Sequence, residues 1–265
     1  MTGKILYVYA IGRNIDLDDL KTDLEGIDGR SCIEEVAADG LSAAVTPVME
    51  DEFGPAAVEN HSGDLEWLGT IGVRHDAVVT ALSRLTTIIP LRAFTLFGSA
   101  ERLKEMLHQD RRTLEKTLQR LDGKEEWTVG IEFEPIAWNS ALTRRIEPLR
   151  ALADELQSAS PGRSYLLTRK LEAERKTAAR DAEQTLVSDL ERSFAERLAA
   201  PVVTETRQMR DGSFPQINML LPRGAEPKLK DVLLDLQSDL SGDGVTLRLT
   251  GPWPPYTFSR GEVDE

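Results

Sequence analysis

The stretch Glu126-Trp127-Thr128-Val129-Gly130-Ile131-Glu132-Phe133-Glu134 decides how this chain divides. Trp127, Val129, Ile131 and Phe133 fall at every second position, the spacing of a strand with one buried face. Asp122-Gly123 lies just upstream, a turn signal that stops a helical pattern, so the strand opens a new unit. After it come a long helical region, a hairpin, a helix and a closing strand. That order is β-α-β-β-α-β, and the residues before it follow the same order.

In the first half, residues 4–11 are an apolar run rich in Tyr, Val and Ile and read as a strand. Residues 16–25 space Leu17, Leu20 and Leu24 as a short amphipathic helix with Asp16 as its cap. Residues 31–37 and 41–48 flank Ala38-Asp39-Gly40 as a hairpin. Residues 50–62 are polar and broken by Gly and Pro, with room for one short helix. Residues 67–85 form a helix with Leu68, Ile71, Val78, Leu82 and Leu85 on one face; 86–97 return to strand chemistry around Pro90; 101–121 form another helix.

In the second half, a helical region over about 140–199 is broken at Ser160-Pro161-Gly162. Leu142, Ile146, Leu149, Leu152 and Leu156 stripe its first arm, and Leu167, Leu171, Ala178, Ala182, Leu186, Leu190, Phe194 and Leu198 its second, so the arms can fold as a hairpin. Residues 202–209 and 214–221 flank Asp211-Gly212 as a second hairpin, and 228–240 are a helix. The expected fold is α+β: two ferredoxin-like (βαββαβ) domains, each a four-stranded antiparallel sheet with helices on one face. Residues 1–122 form the first domain. Residues 123–265 form the second, with a helical insertion over about 140–199 and a tail over 251–258. No residue-level repeat relates the halves.

The tail follows the strand Val245-Thr246-Leu247-Arg248-Leu249-Thr250 and reads Gly251-Pro252-Trp253-Pro254-Pro255-Tyr256-Thr257-Phe258. Each proline lacks a donor and fixes φ, so the segment should leave the sheet as a stiff extended piece. Its rings, Trp253, Tyr256 and Phe258, dock either on the chain's own domain or on a partner.

The charge is −13, from 45 acidic and 32 basic residues, and residues 1–66 alone hold 15 acids against 4 bases. Such a surface repels phosphate backbones and anionic lipid, which argues against nucleic-acid and membrane partners. Cys32, the one cysteine, excludes an internal disulfide; its place in an apparent strand suggests a buried small side chain. No signal-peptide pattern precedes the first strand and no apolar window is long enough to span a bilayer, so a cytoplasmic protein is expected. His61, His75 and His108 stand far apart without metal-ligand spacing. Asp16, Asp18, Asp19 and Asp23 lack the spacing of a calcium loop and suit a helix N-terminus instead. With no phosphate loop and no nucleophile elbow either, we expect no catalytic residues, no cofactor and no metal.

The tail motif closely resembles the C-terminal signature of the gas vesicle protein F/L family (GvpF and GvpL). Tyr7-Val8-Tyr9-Ala10-Ile11, residues 36–45, Ile88-Ile89-Pro90-Leu91-Arg92 and residues 162–170 resemble its other segments in order. Residues 92–98, Arg-Ala-Phe-Thr-Leu-Phe-Gly, depart from it. The resemblance implies a non-enzymatic accessory protein of gas vesicle assembly, cytoplasmic and associated with the vesicles. It also implies binding to the major, very hydrophobic shell subunit or to other vesicle proteins during nucleation and growth. Residues 163–180 carry six bases against two acids, a basic strip able to steer an acidic partner beside an apolar anchor. The candidate partner-binding residues are therefore Arg163, Tyr165, Leu166, Arg169, Lys170 and Arg175, with Trp253, Tyr256 and Phe258 of the tail. The alternative reading is a small-molecule sensor built of ferredoxin-like domains.

Overall fold

A computed structural model describes residues 3–17, 24–209 and 212–259. Backbone proximity divides the chain into two units: one takes residues up to Glu126 and those from Pro252 onward, the other Trp127–Gly251. The tail, expected at the end of the second domain, thus groups with the first unit.

The first unit runs β1 (Lys4–Gly12), β2 (Glu34–Ala38), β3 (Leu41–Met49), α1 (Glu50–Phe53), α2 (Pro55–Asn60), α3 (Leu65–Leu85), β4 (Ile88–Pro90), β5 (Leu96–Phe97), α4 (Ala100–Gln109) and α5 (Arg111–Leu121). Its sheet has the order β2-β3-β1-β4, with β5 also on β1, and every partner of β1 is antiparallel to it. The helix expected over 16–25 centres on residues 18–23, which lie outside the described residues.

Strand β1 is buried without a break from Tyr7 to Gly12, so both its faces are covered rather than one. Helix α3 supplies one cover. Asp64 starts it by accepting from Glu66 N and Trp67 N, at 3.1 and 3.0 Å. Its buried side chains, Ile71, His75, Val78, Val79 and Leu82, recur at helical spacing, and it packs on β1 and β4. Helix α4 packs on β2 and α5 on β4. The single helix expected over 101–121 is two, because Asp110 leaves helical dihedrals (φ −92°, ψ 5°) between α4 and α5. The strand expected over 86–97 is also interrupted: residues 91–95 turn between β4 and β5, with Phe94 at φ 65°.

The second unit continues with β6 (Lys124–Phe133), α6 (Pro135–Arg145), α7 (Glu147–Gln157), α8 (Pro161–Leu198), β7 (Val202–Met209), β8 (Gly212–Pro222), α9 (Glu226–Asp239) and β9 (Val245–Trp253). Its sheet order, β7-β8-β6-β9, repeats that of the first: third strand beside first, first beside fourth. Trp127, Val129 and Ile131 of β6, Ile217, Met219 and Leu221 of β8, and Val245 and Leu247 of β9 share one core with Trp138, Leu171, Phe194 and Leu229 of the helices. The helical region starts at Pro135, earlier than expected. Glu134 caps it, accepting from Ile136 N and Ala137 N, and Pro135 tolerates the first helical position for want of an N–H. Helix α7 lies along α8, as the hairpin reading requires.

Gly244 joins α9 to β9 at φ 75°, with a hypothetical Cβ only 2.6 Å from Ala137 Cβ and 2.9 Å from Trp138 N. Its carbonyl accepts from Glu134 N at 2.7 Å, so the turn is fixed against the start of α6. Gly69 differs: it lies inside α3 and its Cβ would meet nothing within 4 Å. Gly244→Ala should therefore destabilise the protein by more than about 1 kcal/mol, and Gly69→Ala should stabilise it by roughly 0.5–1 kcal/mol. Urea unfolding of both variants reads the opposite signs.

Candidate functional site

The tail does not leave the sheet where the prolines begin. Strand β9 continues through Pro252 to Trp253. It lies at the edge of its sheet, where a missing N–H costs no ladder bond. Gly251 allows the passage with φ at 128°, a conformation other residues avoid. Pro254 and Pro255 are then buried, and α10 (Tyr256–Ser259) closes the described chain.

A buried carboxylate holds this end. Glu126, 5% exposed, accepts from Thr257 N at 2.9 Å through one oxygen and from Thr257 Oγ1 at 2.7 Å through the other. Arg120 donates to the Phe258 carbonyl at 2.7 Å, and Phe258 is buried. Tyr256 packs against the core that contains Tyr7, Tyr9 and Ile71, and burial raises its phenol above the ordinary value. Of the three tail rings offered to a partner by the sequence, Trp253 is the most open, at 43% exposure.

Behind the tail lies a buried polar network. Tyr7 Oη meets His75 Nδ1 at 2.9 Å and accepts from Phe94 N at 3.1 Å; His75 Nε2 meets the Leu91 carbonyl at 3.0 Å. The consistent proton placement is Tyr7 donating to Nδ1 and Nε2–H donating to Leu91, with the ring neutral. Burial lowers the His75 pKa, against smaller upward pulls from the Leu91 carbonyl and Asp76. Tyr9 Oη accepts from Ile27 N at 2.7 Å and bonds Thr46 Oγ1 at 2.8 Å; burial pushes its phenol up to about 12. The histidines do not converge: His61 stacks on Trp67 at 4.8 Å, and His108 bonds Asp39 at 2.5 Å. Cys32 is exposed and precedes β2, contrary to the buried place expected of it, because the strand begins only at Glu34. Asp18, Asp19 and Asp23 lie outside the described residues; among the described ones no three of His, Cys, Asp and Glu gather where a metal could sit.

The helical hairpin presents a different surface. Leu167 and Leu171 of α8 turn inward, which leaves Tyr165 and Leu166 outward at 64% and 67% exposure. Arg169 lies over the Tyr165 ring, 5.9 Å from guanidinium carbon to centroid, and Lys170 is exposed beside it. Arg163 is drawn to Glu155 of α7, its Nε donating at 2.9 Å, and Arg175 donates to Thr143 Oγ1 of α6 at 2.9 Å. Tyr165, Leu166, Arg169 and Lys170 thus form one patch. Arg163 and Arg175 brace the helix that carries it. Trp253, Tyr256 and Phe258 belong to the other unit.

Sequence reasoning also passed over a groove of about 530 Å³ on the second sheet, lined by Gly130, Glu132, Phe133, Phe214, Gln216, Arg248 and Thr250. Glu132 and Arg248 pair there at 2.5 Å. Only strand pairing brings these three strands together, so no local motif announces the groove. Among the described residues no helix is long and apolar enough to cross a membrane.

Comparison with known proteins gives a consistent result. The family model described as gas vesicle synthesis protein GvpL/GvpF matches residues 5–260. Gas vesicle protein L of Streptomyces sp. (strain CB03234) is 31% identical over 97% of this chain and 94% of its own length. Gas vesicle protein L2 of Halobacterium salinarum is 29% identical over 96% and 90%. Among solved structures, GvpF from Anabaena sp. PCC7120 aligns with a TM-score of 0.73 at 16% identity, covering 98% of this chain and 100% of that one. GvpF from Microcystis aeruginosa aligns at 0.66 and 19%, covering 97% and 99%.

Two outcomes follow from the buried groups. Glu126→Ala strands the Thr257 donors and should cost about 1–3 kcal/mol, with the tail becoming cleavable by chymotrypsin at Phe258 in the native protein. For His75 the folded pKa lies below the unfolded one, so the unfolded chain binds the proton more readily. Its contribution to stability is complete above about pH 6.5 and is lost as the pH falls below that, up to about 1.4 kcal/mol by pH 5.5. Urea titrations at the two pH values should show the loss in the parent and a smaller one in His75→Gln.

Proposed function

Because this chain belongs to the GvpL/GvpF family of gas vesicle synthesis proteins, we propose that it acts as a non-enzymatic accessory factor of vesicle assembly. It would bind the major shell subunit or other vesicle proteins during nucleation and growth, in the cytoplasm and at the vesicle. The observation that carries the reading is the exposed pair Tyr165 and Leu166, flanked by Arg169 and Lys170. An aromatic and an aliphatic side chain held outward on a braced helix are an anchor for apolar surface. The adjacent bases set register and speed encounter with an acidic partner. A subunit that exposes apolar surface before assembly needs a carrier that stays dissolved, and the net charge of −13 serves that end. Tyr256 and Phe258 are packed into the fold, and Trp253, 43% exposed, is the tail ring that offers a secondary contact.

The groove on the second sheet favours the sensor reading to a lesser degree. It is open to solvent and its two charged side chains neutralise each other, which leaves little to select a charged metabolite.

Co-purification with the major shell subunit tests the proposal. The intact chain should retain the subunit, and Tyr165→Ser with Leu166→Ser should weaken retention at least about tenfold while the melting transition stays put. Retention that survives this double substitution moves the contact off the hairpin. An intact chain that captures neither the shell subunit nor another vesicle protein removes the carrier reading.

A further inference from the structure

Two exposed helix faces on this chain complement one another. On α3, Leu65 and Val73 stand 69% and 72% exposed on the side away from the sheet. Between them Gly69 and Gly72 leave open ground, since a Cβ on either would meet nothing within 4 Å. Exposed acids border this strip: Asp64, Glu66 and Asp76. Glycine inside a helix costs roughly 0.5–1 kcal/mol against alanine, so the flat face is kept at a price in stability. The α8 arm has the opposite relief and the opposite charge. Tyr165 and Leu166 project from it, and Arg169, Lys170, Lys176 and Arg180 are exposed along the same side, four bases against the exposed acid Glu172 on that side.

We propose that the α3 face of one copy receives the N-terminal half of α8 from a second copy. Large apolar side chains would settle over Gly69 and Gly72 beside Leu65 and Val73, while the bases of α8 meet Asp64, Glu66 and Asp76. An acidic, flat, apolar face calls for a helix with bulky apolar residues flanked by bases, and the chain itself carries one. Each copy uses two different faces, so the contact is heterologous and copies add head to tail. A single helix-on-helix contact falls short of the roughly 1,200–2,000 Å² of a stable interface, which makes the association weak and concentration-dependent. The arm is the one assigned above to a vesicle partner, so the two occupants compete; self-association stands or falls without that partner.

Sedimentation of the intact chain at rising concentration tests this. The mass should climb at about 0.1 M salt and fall back towards monomer at about 1 M, where exposed charges are screened. Glu66→Lys with Asp76→Lys, and separately Arg169→Glu with Lys170→Glu, should each leave a monomer with an unchanged melting transition. Mixed, the two variants should associate again, because one supplies an intact arm to the other's intact α3 face and the reversed charges of the two altered faces also complement each other. A parent chain that stays monomeric up to sub-millimolar concentration in low salt overturns the proposal, as do charge variants that associate like the parent. A mixture that stays monomeric overturns the pairing of these two faces. If Leu65→Asp with Val73→Asp blocks capture by a vesicle protein while the self-association mass is unaltered, the α3 face belongs to that protein and the proposal fails.

Discussion

Burial of β1 on both faces is the constraint from which the first unit is built. Tyr7 and Tyr9 sit in its middle, and each brings a hydroxyl into a place water does not reach. A buried hydroxyl without a partner costs about 1–3 kcal/mol, so each must find partners inside the protein. Tyr7 finds His75 and the Phe94 amide; Tyr9 finds Thr46 and the Ile27 amide. Those bonds tie α3, β3 and two loops to one strand. They also hold Phe94 in a left-handed conformation that a phenylalanine seldom takes unaided. Tyr256 of the tail packs on the same core, so the end of the chain completes what its first strand begins.

The family resemblance is strongest at the tail, yet the tail is bound largely to its own chain. Glu126 and Arg120 satisfy its backbone and side-chain groups, and two of its three rings are withdrawn from solvent. The hairpin arm shows the reverse. Its helix is anchored by Leu167 and Leu171 inside and by Arg175 on Thr143, while Tyr165 and Leu166 remain outside. A side chain kept outward on a well-supported helix suits recognition. A motif folded back on a buried carboxylate suits integrity.

Much of the fold was legible because hydrophobic periodicity is local. The alternation in β6, the stripe along α8 and the Asp39-Gly40 turn place elements within a few residues of where they lie. What failed was equally specific. Pro252 inside β9 is tolerated because that strand is an edge, which the residues alone do not reveal. The early start at Pro135 was marked by the proline, favoured at a first helical position, while the Glu134 cap shows only in the structure because glutamate is not a usual cap residue. Of the candidate site residues, the sequence put six on one helix but could not say that Arg163 and Arg175 turn to Glu155 and Thr143.

By itself the sequence determined the α+β class, the doubled strand–helix order and the acidic balance, because each rests on composition or on spacing within one element, and it carried the family through the likeness of its motifs. Tertiary structure alone decided that Glu126 meets Thr257 across 131 positions, that Tyr7 meets His75 across 68, and that residues from Pro252 onward join the first unit. It also decided which face of α8 stays open and which residues line the groove of the second sheet. The reason is that periodicity shows which side of an element is apolar, whereas the partner of a buried polar group is set by which elements pack together.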